Sequence, residues 1–213
     1  MKKIFFFFLL TTLISCEDIQ YDGETRLVFK TKILLANGNP LPNSYVDITV
    51  ASGYASDLIS TGKTNENGEL TLIFPASEND YNINLKIYNE DVSYLEREIT
   101  NIKKDDFVNY KFDFQSIYLL KNEELAPLNL TFNQVNINTT IKKVNVQGIY
   151  HLSSEYYNYP IEEYYEIPSS FLIKKNQAFQ LKYTVINTQT GAETQNIVDL
   201  QIANDPLNYT INY

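Results

Sequence analysis

Few side chains in this sequence could do chemistry. His151 is the sole histidine, Cys16 the sole cysteine, and tryptophan is absent from the 213 residues. Ser153 and Ser154 follow His151 closely. A serine nucleophile, however, needs its base and an orienting acid to converge on it in space, which neighbours on one strand or loop do not do. His151 is therefore expected as a partly exposed ring beside a turn. Glu162–Glu163 and Asp105–Asp106 are adjacent carboxylates; consecutive side chains diverge, so neither pair can flank a substrate, and both read as solvated surface. One Cys and one His cannot make a zinc site. Asn65, Glu66 and Asn67 before Gly68 offer oxygens to a hard cation, but the loop is short and Asn-Gly already accounts for itself as a tight turn. No catalytic residue, metal site or cofactor is expected, and the chain does not read as an enzyme.

Tyrosine is what remains for function. The stretch from Tyr150 to Tyr165 is dense in it, and Tyr156, Tyr157, Tyr159, Tyr164 and Tyr165 surround Pro160 in what reads as a loop between strands. Tyrosine offers flat apolar area with a polar tip at low entropic cost, which suits contact with proteins or glycans. The same spacing also fits rings that turn partly into a core.

Charge narrows the partners. Lys and Arg number 17 against 26 Asp and Glu, a formal net charge of −9. Nucleic acid is excluded, because phosphate contacts need clustered basic residues. Electrostatic attachment to an anionic membrane is excluded on the same ground.

The chain begins MKKIFFFFLLTTLISC. Two lysines precede an apolar run far shorter than the roughly 20 residues of a membrane-spanning helix, the pattern of a secretion signal. The ending, Leu13-Ile14-Ser15-Cys16, resembles the lipobox of bacterial lipoproteins, with a small residue just before a cysteine. The resemblance implies cleavage before Cys16 and acylation of that residue, so that the lipid is the membrane anchor. The acidic run after it, Glu17-Asp18 with Asp22 and Glu24, resembles the export signal of surface lipoproteins of the Bacteroidetes. It reads equally as a solvated tether. The expected address is the outer membrane, on the cell surface or facing the periplasm.

From Thr25 the apolar period is two, the mark of half-buried strands. Leu27, Phe29, Thr31, Ile33 and Leu35 share one face. Val46, Ile48 and Val50 form another set; Leu70, Leu72 and Phe74 a third, expected to stop at Pro75; Tyr81, Ile83, Leu85 and Ile87 a fourth. With a shorter strand near Leu58 to Lys63, Leu95 and Ile99 and then Val108, Tyr110, Phe112 and Phe114 complete about seven strands. Asn37-Gly38 and Asn67-Gly68 mark turns. The second half repeats the pattern through Leu128, Leu130 and Phe132, then Val135 and Ile137, Ile141, Val144 and Val146. It continues with Phe179 to Val185, a hairpin tip at Thr188–Gly191, Val198 to Ile202, and Leu207 to Tyr213.

Two motifs in order, Asn37-Gly38-Asn39-Pro40-Leu41-Pro42 leading into Tyr45-Val46, and Thr64-Asn65-Glu66-Asn67-Gly68 leading into Leu70, resemble those of the carboxypeptidase regulatory-like domain. Asn65 stands where the family usually has Asp, and Leu70 where it has an aromatic. The resemblance implies a small, generally non-catalytic transthyretin-like sandwich over residues 25–115. The expected organisation is all-β, with two tandem Ig-like or transthyretin-like sandwiches after a lipoprotein signal: signal peptide 1–15, lipidated cysteine and acidic tether 16–24, carboxypeptidase regulatory-like sandwich 25–118, linker 119–127, second sandwich 128–213. The expected function is a lipid-anchored binding module that captures a glycan or protein partner through the tyrosine loop. The alternative is a structural spacer or adhesin-type stalk subunit.

Overall fold

The structure is a computed structural model that describes residues 19–53, 55–156 and 167–213, residues 154–156 by their backbone. Among the described residues seven strands come first: β1 (Tyr21–Leu34), β2 (Ser44–Ser52), β3 (Ala55–Lys63), β4 (Glu69–Ser77), β5 (Asn82–Asn89), β6 (Arg97–Ile102) and β7 (Lys111–Tyr118). Eight follow: β8 (Leu125–Asn133), β9 (Thr139–Gln147), β10 (Tyr150–His151), β11 (Ser154–Tyr156), β12 (Ser170–Lys174), β13 (Gln177–Asn187), β14 (Glu193–Ile202) and β15 (Leu207–Asn212). The chain is an all-β sandwich protein.

Period two decides which face of each strand is dry. Leu27, Phe29 and Ile33 of β1 meet Val46, Ile48 and Val50 of β2 and Ile83, Leu85 and Ile87 of β5 in one core, each at most 3% exposed. The two layers around it are β4-β1-β7 and β11-β6-β5-β2-β3. A second core joins Leu128 and Leu130, Val146, Phe171 and Ile173, Phe179 and Leu181, and Ile211, with strand orders β10-β12-β8-β15 and β14-β13-β9 around it. β1 pairs in parallel with β7, and β8 with β15.

Several local expectations give way to packing. Residues 19–24, read as part of a tether, are structured: Ile19 is buried, Tyr21 pairs with Ser77, and the Glu78 amide donates to the Gln20 carbonyl. Pro75 does not stop its strand, because β4 lies at a sheet edge where a missing N–H costs no ladder bond. Val108 and Tyr110 are exposed, since Asn109 and Tyr110 both adopt positive φ and turn the chain just before β7. Within β7, Gln115 at φ 58° makes a bulge that reverses the parity, so Phe112 and Ile117 both point inward. Val135 and Ile137 lie exposed in the β8–β9 turn rather than in a strand.

The segment 119–127, read as a linker, is packed. Leu119 and Leu120 are fully buried, and Leu125 and Ala126 nearly so. Pro127 sits within β8 at a position where only β12 pairs with it, β15 beginning one residue later. Ala36, Leu120 and Leu125 form a small third cluster, against which Leu95, Tyr118, Ile149 and Leu172 pack. It draws on residues of both halves, as does β11, which leaves the second half to pair in parallel with β6.

Candidate functional site

Alternation buries one face of β2 and β5 and leaves the other to solvent, and the outward side chains make the most organised polar surface of the first half. The register sets Tyr45 between Lys63 on β3 and Tyr88 on β5, and Asp47 between Thr61 and Lys86. The two tyrosine rings stack with centroids 5.2 Å apart and planes 12° from parallel. The Lys63 ammonium lies 4.8 Å from the Tyr45 centroid, and that of Lys86 5.4 Å from the Tyr88 centroid.

Charges hold the rings in place. The Tyr45 hydroxyl donates to Glu90 Oε1 at 2.5 Å, and Lys63 Nζ reaches the same oxygen at 3.1 Å. Thr61 donates to Asp47 at 2.6 Å, and Lys86 pairs with Glu96 at 2.9 Å. The Tyr45 hydroxyl and then Lys63 hold Glu90 below the usual carboxylate range. Burial and then Asp47 push the Tyr88 phenol up. Carboxylates tied to hydroxyls and ammonium groups are poor proton shuttles. Rigid rings edged by oriented donors and acceptors are instead suited to recognition.

The residues singled out from sequence fall elsewhere. Cys16, Tyr157, Tyr159, Tyr164 and Tyr165 lie outside the described residues, as do Glu162 and Glu163. Tyr156 closes β11, its backbone in register with Thr100 of β6. β11 is the edge of the same five-stranded sheet that carries Tyr45 and Tyr88, so the tyrosine-dense stretch departs from the rim of this platform. Nothing in the local sequence marks the platform: Tyr45 and Tyr88 become neighbours only through strand pairing.

His151 is buried, at 6% exposure, which corrects the expectation of a partly exposed ring. Pairing of β10 with β12 carries it inward, beside Arg97, itself 9% exposed, whose guanidinium lies 5.8 Å from the Tyr150 ring. Burial first, and then the Arg97 charge, hold the imidazole below its ordinary value. The backbone of Ser153 is engaged as acceptor to the Glu98 amide. Asp106 caps the short turn Lys104–Asp106 by accepting from the Lys103 amide. Asn65 Oδ1 accepts from the amides of Asn67 and Glu69, each at 2.9 Å, so it closes the turn.

No family model matches the chain, and no curated protein matches it. Among solved structures it is similar to the Bacillus anthracis TIE protein (13% identity, 88% of this chain, 34% of that one, TM-score 0.34). It is also similar to a streptococcal ancillary pilin (12%, 90% and 63%, TM-score 0.33). A third is 3-chlorocatechol 1,2-dioxygenase from Rhodococcus opacus (15%, 49% and 62%, TM-score 0.33). The chain spans less than two thirds of each of these. Overlap this low says nothing of activity or partner.

Proposed function

We propose that this chain is a non-catalytic binding module of the bacterial cell envelope, carried by a lipid on Cys16 at the outer membrane, its first half a sandwich of the carboxypeptidase regulatory-like kind. The observation that carries the binding reading is the Tyr45–Tyr88 platform: two stacked rings on an exposed sheet face, fixed by Asp47, Glu90, Lys63 and Lys86. A sheet face that served only to cover a core would not need it. The tyrosine stretch from Tyr156 to Tyr165 begins at the edge of the same sheet and would extend the contact surface. Such a surface fits a glycan or a polar protein segment.

A second reading, a spacer or stalk subunit, has its own support. The Leu120 cluster and the crossing strand β11 tie the two halves together, which would stiffen a stalk. A glycan and envelope-protein array separates the two. The binding reading expects a ligand retained by the wild type and lost in Tyr45→Ala/Tyr88→Ala, with stability lowered by only about 0.5–1.5 kcal/mol beyond area loss. Tyr156→Ala/Tyr157→Ala/Tyr159→Ala, tested beside it, shows whether the loop shares the contact. Retention untouched by both variants would sink the binding reading and leave the stalk. Protease accessibility on intact against permeabilised cells tests the surface address.

A further inference from the structure

The second half has an exposed sheet face of a different chemistry. Phe179 and Leu181 point into the core, so the intervening side chains of β13 point out. The register sets Lys182 opposite Asn145 of β9, and Thr184 between Lys143 of β9 and Gln195 of β14. With Gln147 these residues line a shallow depression of about 260 Å³. That is below the roughly 300–1,000 Å³ of enclosed small-molecule sites, so it suits one unit of an extended chain lying across the sheet.

Two features of the face call for a ligand. Lys143 and Lys182 are diagonal neighbours, about 7–8 Å apart by sheet geometry, within the roughly 10 Å over which charges interact at 0.1 M salt. Among the described residues neither Lys143 nor Lys182 has a carboxylate partner, which is also true of Lys30, Lys32, Lys104, Lys111, Lys174 and Lys175, but Lys143 and Lys182 line one depression together. Asp199, at the corner of the face, accepts from Gln180 at 2.9 Å. The two ammonium groups line one depression and give it the positive charge that a bound anion would meet. Second, the side chains of Asn145, Gln147, Thr184 and Gln195 hold no hydrogen bond among the described residues, leaving donors and acceptors side by side, which hydroxyl groups match. Ile197, 53% exposed and opposite Lys182, adds an apolar spot.

We infer that this face binds an acidic polysaccharide, with Lys143 and Lys182 on its carboxylates and the amides and Thr184 on its hydroxyls. The site is separate from the Tyr45–Tyr88 platform and does not rest on it.

The test is calorimetric titration of the purified protein with a short oligogalacturonate at low and high ionic strength. Binding at low salt that weakens as salt rises is the expected result. Lys143→Gln/Lys182→Gln should weaken it by about tenfold, from two exposed charge contacts, with the melting temperature unchanged. Lys143→Arg/Lys182→Arg should retain it, and Tyr45→Ala/Tyr88→Ala should bind as wild type. Absence of binding by the wild type, or equal affinity in the Gln variant, overturns the inference. Equal affinity for poly-L-glutamate overturns the glycan assignment. Loss only in the tyrosine variant overturns it as well, and moves the ligand to the platform.

Discussion

Replacing Gly68 by alanine tests how the turn between β3 and β4 closes against β1, and Gly38 supplies the control. Both hold positive φ, 72° at Gly68 and 84° at Gly38. A side chain in that region costs about 1–2 kcal/mol at either site. The surroundings differ. A Cβ on Gly38 would meet nothing within 4 Å, whereas one on Gly68 would lie 2.4 Å from the Ile33 carbonyl oxygen, 3.2 Å from the Leu41 nitrogen and 3.3 Å from Pro40 Cα. All three are backbone atoms, so no rotamer change relieves the contact. Ile33 also donates its amide to the Gly68 carbonyl at 2.7 Å and accepts from Leu41 at 2.9 Å. Moving Gly68 away stretches the first of these bonds and leaves a buried amide poorly paired, at about 1–3 kcal/mol. Gly38→Ala should therefore cost about 1–2 kcal/mol, and Gly68→Ala about 2–5 kcal/mol. Urea unfolding followed by far-UV circular dichroism measures both against one core. A Gly68→Ala cost within about 0.5 kcal/mol of the Gly38→Ala cost would show that the backbone yields, and would refute the steric argument.

Other outcomes follow from single groups. The Thr31 hydroxyl is buried without a hydrogen-bond partner among the described residues, so Thr31→Val should raise the urea midpoint, by about 1 kcal/mol of stability. Leu120, fully buried between the halves, should cost about 2–5 kcal/mol as Leu120→Ala; a smaller loss in calorimetry would mean the joint contributes little. The imidazole of His151 is held below its ordinary value by burial and then Arg97, so the unfolded chain binds the extra proton as pH falls below 6.5. Stability is then full above that pH and declines beneath it, by up to about 1.4 kcal/mol per pH unit, and His151→Leu should flatten the slope in urea melts across pH. Asp22 accepts from the Thr25 hydroxyl and from the amides of Glu24 and Thr25, which pulls its carboxyl to about 2. Its contribution is present above the ordinary carboxylate range and lost as pH falls through about 2, and an NMR titration of its carboxyl carbon should find that midpoint.

How far the sequence discloses the fold depends on whether a feature is local. Leu27, Phe29 and Ile33 were legible as a buried face because alternation is written into consecutive letters, and the same holds for Val46, Ile48 and Val50. The turn at Asn67-Gly68 was legible because only glycine tolerates its φ beside the Ile33 carbonyl. Val108 and Val135 carry the same letters as core residues and are exposed, because positive φ at Asn109 and Tyr110, and a turn after β8, break the period at points that composition does not mark. The burial of His151 depends on β10 pairing with β12 and packing beside Arg97, partners far away in the chain.

The candidate sites follow the same rule more strictly. In a sandwich the inward letters are dictated by the core, and the outward letters are free to carry recognition. The sequence tells which letters point out: Tyr45 and Asp47 alternating with Val46 and Ile48, and Lys182 and Thr184 beyond Leu181. It does not tell which outward letters become neighbours, because that is decided by strand order. Pairing β2 with β5 places Tyr45 on Tyr88, and pairing β9 with β13 brings Lys143 to the diagonal of Lys182. A dense run such as Tyr156 to Tyr165 draws the eye because its residues are adjacent in sequence, whereas Tyr45 and Tyr88 are 43 positions apart and meet only through strand pairing. Side-chain chemistry in this protein is therefore best sought across strands: the same composition with β2 and β5 unpaired would have neither the ring stack nor the ion pairs that hold it.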